Sequence, residues 1–104
     1  MTQYDIIKDA IANKRQITAT YQNHVRIMCP HVIGTKNGRE QALFFQFGGT
    51  SASEGTITPE NGRWRCLAIE QLDDVSAQNG DWHTRDDHSQ DQTCVDDVDL
   101  EVEY

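Results

Sequence analysis

Three arginines are spaced so that their side chains could share one face of a sheet. Arg63 and Arg65 lie two residues apart in an apolar segment, so in a strand both leave on the same side, while Trp64 faces the other way. Arg26, in another strand-like segment, could join them. Planar guanidinium groups suit phosphate or carboxylate, and adjacent aromatic rings give a flat surface for base stacking. The pattern predicts an anion-binding face. The alternative is a row of solvated arginines that balances the acidic end of the chain.

The cysteines and histidines offer a second kind of chemistry, a zinc site with four tetrahedral ligands. Its candidate ligands are Cys29 and His31, which share a strand face, together with Cys66 and Cys94. No close Cys-x-x-Cys pair of the kind typical of structural zinc sites occurs, so we expect no metal and no cofactor. The three cysteines are odd in number and widely spaced, unlike the dense, even sets of disulfide frameworks. We therefore expect reduced thiols.

The same residue types could also form a catalytic triad. Cys29 or Cys94 would be the nucleophile, His31, His83 or His88 the base, and a nearby Asp the orienting group. No local motif favours one set, because the last third of the chain holds eleven acidic residues and some Asp will neighbour any histidine. We predict no catalytic residues.

One helix and several short strands must position these side chains. Thr2 and Asp5 have the spacing of a capping box, and apolar residues then recur every three or four positions, which predicts a helix over about residues 3–14. A period of two follows, which predicts strands. The predicted strands are 17–21, 25–33, 41–47 and 63–69, with a short fifth piece around 72–75.

Turn and breaker residues separate these strands. Asn37-Gly38 is the strongest hairpin signal, because both residues tolerate positive φ. Pro30 cannot donate to a ladder and marks an edge or a bulge. The run 41–47 is apolar on both faces, which predicts a central strand, and the Gly-, Ser- and Thr-rich stretch 48–62 is predicted to be a loop.

Charge is unevenly distributed along the chain, whose net charge is −8. Residues 1–70 carry +2 and residues 71–104 carry −10. The end of the chain nevertheless alternates apolar and acidic residues from Val98 to Tyr104, which predicts an ordered strand rather than a disordered acidic tail. We hypothesise that this strand covers the arginine face and is displaced by an anionic ligand.

The element order resembles the WYL domain, a small SH3-like (Sm-like) barrel usually found behind a helix-turn-helix in bacterial transcription regulators. The resemblance covers about residues 3–76 and is carried by Ala19-Thr20-Tyr21, by a strand with Arg26 and Pro30, by a hairpin, and by an aromatic and an Arg-rich strand. The triplet that names the family is Leu43-Phe44-Phe45 here, and no helix-turn-helix accompanies it.

The chain also resembles a set of short, stand-alone bacterial proteins of unassigned function. Their marks would be His24-Val25-Arg26, the run Cys29-Pro30-His31-Val32-Ile33-Gly34 and Gln46-Phe47-Gly48-Gly49. The WYL resemblance implies ligand binding, often of nucleotide or single-stranded nucleic acid, through aromatic and arginine residues. The positions carried over are Tyr21, Arg26, Phe44, Phe45, Arg63 and Arg65.

The expected protein is therefore mainly β (α+β), a single domain over 1–104 with an N-terminal helix packed on a small antiparallel SH3-like barrel over 3–76. Residues 77–104 form an acidic extension with a terminal strand. We expect a non-catalytic module that binds a ligand or nucleic acid. The alternatives are a protein-interaction or self-assembling adaptor, with a homodimer through the edge strand, and a metal- or Cys-dependent enzyme. No signal peptide or membrane-length apolar run is recognised, so a cytoplasmic location without a membrane partner is expected.

Overall fold

The N-terminal helix ends where the sequence pattern places it. A computed structural model describes residues 2–51, 55–58, 60, 62–83 and 94–102. Helix α1 spans Gln3–Asn13, and the predicted capping box is present: the hydroxyl oxygen of Thr2 accepts from the Asp5 N–H at 3.1 Å, and the Asp5 carboxylate accepts from the Thr2 N–H at 3.2 Å. Lys14 closes the helix in the left-handed region. Among the described residues, no helix is long and apolar enough to cross a membrane.

The strands form one curled antiparallel sheet on which the helix packs, a half-barrel of the SH3-like class. They are β1 Gln16–Tyr21, β2 His24–Lys36, β3 Arg39–Ser51, β4 Gly55–Thr56, β5 Arg63–Ala68, β6 Asp73–Gln78 and β7 Asp97–Glu101, with a 3₁₀ turn at Ile69–Gln71 before β6. The expected fold class is confirmed. Both tight turns use residues with positive φ, Gln22-Asn23 between β1 and β2 and Asn37-Gly38 between β2 and β3.

Strand β2 is the spine of the sheet. Along one edge β2 pairs with β3. Along its other edge it pairs with β1 through residues 24–28 and with β7 through residues 32–35. The β2–β3 register shifts between Pro30 and Val32, which leaves His31 as the extra residue of a bulge. This confirms the prediction that Pro30 marks an edge or a bulge.

The sheet has two covered faces. On the face that we call the inner face, strand side chains pack with α1 and the 3₁₀ turn in the main core; they are Ile17, Ala19, Met28, Ile33, Ala42, Phe44 and Leu67. On the opposite, outer face a smaller cluster joins Val32, Leu43 and Trp64 to Cys94 and Val95. The segment around residues 94–95 therefore covers the back of β2, β3 and β5.

Two sequence-based expectations about this region are wrong. Cys66 and Cys94 form a disulfide, with Cα atoms 5.5 Å apart, so only Cys29 is a free thiol, and it is buried. Widely spaced cysteines carry no local signal of pairing, and the fold brings the two together by laying residues 94–95 across β5. The stretch 48–62 is not all loop either, because β3 continues to Ser51 and pairs with β4; residues 52–54, 59 and 61 lie outside the described residues.

The terminal strand exists, but its alternation is broken. Ile33 pairs with Leu100 and Gly34 with Val98, so Asp99 is an extra residue in β7. Its carboxylate accepts a hydrogen bond from the Tyr4 hydroxyl at 2.6 Å and pairs with the Lys8 ammonium at 3.1 Å. Val98, the first apolar residue of the predicted alternation, is 47% exposed. Residues 103–104 lie outside the described residues.

A candidate anion-binding site around Gln46

Two arginine side chains from different strands meet on one amide oxygen. On the inner face, the Nη1 of Arg26 in β2 and the Nε of Arg65 in β5 each donate to the Oε1 of Gln46 at 3.2 Å. Gln46 lies on β3 between them and is fully buried. The structure therefore brings together two of the three arginines that the sequence placed on one face.

The orientation of the Gln46 amide is fixed by its own strand. Its Nε2 donates to the carbonyl oxygens of Gly48 at 2.9 Å and Thr50 at 3.1 Å. Only an NH₂ group can donate to a carbonyl, so Oε1 must face the arginines. The amide uses two donors and two acceptor positions, and all its hydrogen-bonding capacity is satisfied.

The backbone of β3 makes these bonds possible by leaving regular geometry just after Gln46. Ile27 pairs with Gly48 but Met28 pairs with Gln46, so Phe47 is an extra residue that bends the strand. Gly49 follows with φ +80°, and a Cβ at that position would collide with the Val25 carbonyl oxygen. Gly49 is therefore needed both for its positive φ and for the close approach of β2.

Arg26 is a buried cation. It is only 4% exposed, and its guanidinium lies over the ring of Tyr21, 5.0 Å from the centroid. Its Nε is buried without a hydrogen-bond partner. Desolvation first, and the charge of Arg65 second, lower the pKa of Arg26 below its usual value, whereas Tyr21 raises it. No ion pair joins Arg26 to a carboxylate in the described part of the chain.

Tyr21 supplies the aromatic member of this site. It ends β1, pairs in register with His24, and lies half-buried against the main core. One ring face therefore meets a cation, an arrangement that stabilises by about 0.5–2 kcal/mol depending on desolvation.

The other three predicted ligand-binding residues are placed differently. Arg63 is exposed at the start of β5, opposite Gln46 in register, and its Nη1 donates to the Gly62 carbonyl at 3.2 Å. Phe44 is buried in the main core on the inner face. Phe45 is buried on the outer face, where its ring meets Trp64 edge-on at 5.1 Å. The two phenylalanines are thus on opposite sides of the sheet, and neither offers an open ring surface.

As far as residue 102, where the description of this segment ends, the terminal strand does not cover the arginines, contrary to the hypothesis from the charge pattern. Strand β7 pairs with residues 32–35 of β2, whereas Arg26 lies six residues before Val32, on the order of 20 Å along the strand. The Asp99 carboxylate instead binds the helix. Acidic residues of β7 and the arginine site are held at different ends of the sheet.

The residues proposed for metal binding and nucleophilic chemistry form part of the outer-face packing. His31 lies between Trp64 and Trp82, with ring centroids 4.8 and 4.9 Å away, and its Nδ1 is 2.8 Å from the Cys29 carbonyl oxygen. That contact makes Nδ1 the protonated nitrogen. Among the described residues, no group of three His, Cys, Asp or Glu side chains is placed to hold a metal ion.

Cys29 is shielded from reaction. The N–H of His83 donates to its Sγ at 3.3 Å, and burial raises the pKa of the thiol to about 11. A nucleophilic cysteine needs thiolate character and access to solvent, and this environment disfavours both. Cys94, the other proposed nucleophile, is in the disulfide. His88 lies outside the described residues.

Sequence reasoning missed the central residue of the site. Gln46 stood only in the motif Gln46-Phe47-Gly48-Gly49, without a role. Its signal was an amide in the interior of the run 41–47, which was predicted to be apolar on both faces. A buried polar side chain in such a strand must find partners. The partners of Gln46 are the two arginines and two carbonyl oxygens of its own strand.

Comparison with protein-family models, with curated proteins and with solved structures found no match for this chain.

Proposed function

We propose that this chain is a non-catalytic binding module, resembling a WYL domain, whose Tyr21–Arg26–Arg65 site binds the phosphate of a nucleotide or of a single-stranded nucleic acid. The observation that carries the proposal is the meeting of two guanidinium groups on the neutral oxygen of Gln46. A carboxylate between the same groups would favour a purely structural role.

The energetic argument concerns Arg26. Removing a cation from water costs several kcal/mol unless an anion or a full set of acceptors replaces the lost hydration. Gln46 offers Arg26 one shared acceptor, and Tyr21 offers a ring face, but the Nε donor has no partner. A phosphate beside the half-buried Arg65 would bring a negative charge close to Arg26.

The neighbouring groups suit a nucleotide. Arg65 is half-buried, so it connects the buried Arg26 to the surface, and the exposed Arg63 lies on the same side of β5. Arginine and tyrosine side chains together bind the phosphate and stack on the base of single-stranded nucleic acids. Such binding weakens steeply with salt, because phosphate contacts release counterions.

The test is a fluorescence-anisotropy titration of the protein with a short fluorescein-labelled oligothymidine at low and high salt. We expect binding that falls at high salt and is lost in Arg65→Ala. The matched control is Arg39→Ala. Arg39 is an exposed arginine on the β2–β3 hairpin, and it forms an ion pair with Glu70 of the 3₁₀ turn. Circular dichroism verifies folding of each variant. Absence of binding by the unaltered protein, or equal losses in the two variants, would refute the proposal.

A second candidate function is self-association through β7. Two observations favour it. In the described sheet β7 pairs with β2 alone, so its other edge has no strand neighbour there, and Val98 on β7 is 47% exposed. An outer strand with an exposed apolar residue is a template for pairing with another chain, although its acidic neighbours oppose this. Sedimentation velocity across a concentration series tests it. A dimer that disappears in Val98→Lys supports this function, and a monomer at every concentration contradicts it.

A further inference from the structure

We propose that the Cys66–Cys94 disulfide is a redox latch for the C-terminal segment, residues 94–102. In the oxidised protein the disulfide ties this segment to β5, and the segment lies against the sheet. After reduction by a dithiol the segment leaves the sheet, while α1 and the other strands stay folded. The inference goes beyond the proposed function, because it involves none of the residues of the arginine site, and failure of either proposal leaves the other standing.

The disulfide joins the segment to a strand inside the sheet. Cys66 lies on β5, in register with Leu43 of β3, and Cys94 lies three residues before β7 begins. Val95 follows in the outer-face cluster. The cross-link therefore fixes the start of the segment on the outer face, just before the chain turns to pair with β2.

Strand β7 contributes little burial of its own. Of its five residues only Leu100 is partly buried, and the other four are exposed. Val102, just after the strand, is buried in the main core. Every other described, buried residue of that core lies between residues 7 and 72, so the core keeps nearly all its members when the segment leaves. Segments with little apolar burial open locally at low free energy, and β7 meets this condition once the cross-link is cut.

The charge of the segment also opposes its docking. The segment contains no lysine or arginine, and its four acidic residues are Asp96, Asp97, Asp99 and Glu101. Like charges so close together repel one another. Tyr4 and Lys8 bind the Asp99 carboxylate, but at the surface, where an ion pair contributes little to stability. The covalent link to β5 is therefore a large part of what holds the segment.

The disulfide is open to reduction at one end, because Cys66 is exposed whereas Cys94 is buried. One thiolate of the dithiol attacks the Cys66 sulfur, which forms a mixed disulfide and releases the Cys94 thiolate. The second thiolate then attacks the dithiol sulfur of the mixed disulfide and releases the Cys66 thiolate. The dithiol is oxidised to a disulfide, and its two electrons and two protons pass to the two cysteines.

The experiment is hydrogen exchange followed by NMR on the full chain, with and without dithiothreitol. Two amides report on the segment: the Asp96 N–H donates to the Thr35 carbonyl oxygen at 3.1 Å, and the Val102 N–H donates to the His31 carbonyl oxygen at 2.7 Å. We expect reduction to speed their exchange at least about ten-fold, to nearly the rate of an unfolded chain, while amides of α1 and of the β2–β3 ladder remain protected. Protection of both reporters that survives reduction overturns the inference. Loss of protection throughout the protein also overturns it, because the disulfide would then hold the whole fold together.

Gly34→Ala gives an independent test that keeps both cysteines. A Cβ at Gly34 would collide with the Asp97 carbonyl oxygen and the Val95 side chain, so this variant should weaken docking of the segment. Coupling between two events is reciprocal, so a change that weakens docking must also favour reduction. The control is Gly38→Ala, where a Cβ meets nothing within 4 Å.

The equilibrium constant for reduction is measured in dithiothreitol redox buffers, from the mass shift after acid quenching and alkylation. We expect this constant to rise at least about five-fold in Gly34→Ala and less than about two-fold in Gly38→Ala. Equal shifts in the two variants would overturn the coupling between the disulfide and the segment. If Gly34→Ala does not fold, the exchange of Asp96 and Val102 in the unaltered protein decides the matter.

Discussion

The Cys66–Cys94 disulfide should make the stability of this protein strongly dependent on redox conditions. The two cysteines are separated by 28 positions in the chain. Closing a loop of that length in the unfolded chain removes entropy worth about 3.5 kcal/mol at 25 °C in the chain-entropy treatment of cross-links. Reduction restores this entropy to the unfolded chain. We therefore expect the free energy of unfolding to fall by roughly that amount.

Urea unfolding of the oxidised and the dithiothreitol-reduced protein measures the effect. The fluorescence of Trp64 and Trp82 reports it, because both rings pack on His31. With the urea dependence usual for small proteins, the midpoint should fall by roughly 1–3 M on reduction. The control is the double variant Cys66→Ala/Cys94→Ala, whose midpoint should be low and insensitive to the reductant. Coincident curves for the oxidised and reduced protein would show that the loop-closure argument is wrong here.

Three further measurements test other parts of the structure. Gly49→Ala should lower the free energy of unfolding by about 2 kcal/mol or more, because residue 49 has a positive φ and a Cβ there collides with a β2 carbonyl. The control Gly38→Ala has the same φ but open space around it, so it should lower the free energy of unfolding clearly less. Equal losses in the two variants would contradict the clash. Hydrogen bonds to Tyr4 and then Lys8 lower the pKa of Asp99, so its stabilising contribution is full above its ordinary pKa of 3.8 and is lost as the pH falls through the lower, folded-state value. Unfolding curves should therefore show a smaller acid-induced loss of stability in Asp99→Asn than in the unaltered protein, and parallel losses would argue against the pairing. Iodoacetamide at pH 8 should leave Cys29 of the native protein unmodified, because the thiol is buried and its pKa is raised to about 11, and it should modify Cys29 in urea. Intact-protein mass spectrometry measures the modification. Rapid modification of the native protein would show that the thiol is accessible to solvent.

Local signals in the sequence were sufficient for most of the elements. The Thr2–Asp5 spacing gave the start of the helix, and Asn37-Gly38 gave the long hairpin, because capping and positive φ are properties of neighbouring residues. The end of β3 was not predictable in the same way. Gly48 and Gly49 are typical of a loop, yet here they let a strand continue past a bulge and lie close to β2.

Contacts between distant parts of the chain explain the other differences. Nothing near Cys66 or Cys94 indicates that they pair, since only the folded sheet brings residues 94–95 behind β5. Strand alternation predicted that Arg63 and Arg65 lie on the same face of the sheet. It could not predict which of the two side chains extends toward Arg26. Arg65 does so because Gln46 offers it an acceptor.

The bulge at His31 has a consequence for how this gene can change in length. Before the bulge, odd-numbered Cys29 belongs to the outer face, and after it odd-numbered Ile33 belongs to the inner core. Deleting His31 would restore plain alternation and leave Val32 and Ile33 on their present sides, whereas deleting a paired neighbour such as Met28 would move the residues on one side of the deletion to the wrong face. Among single-codon losses within β2, the loss of His31 should therefore preserve the register of the sheet, whereas losses of its paired residues should be purged.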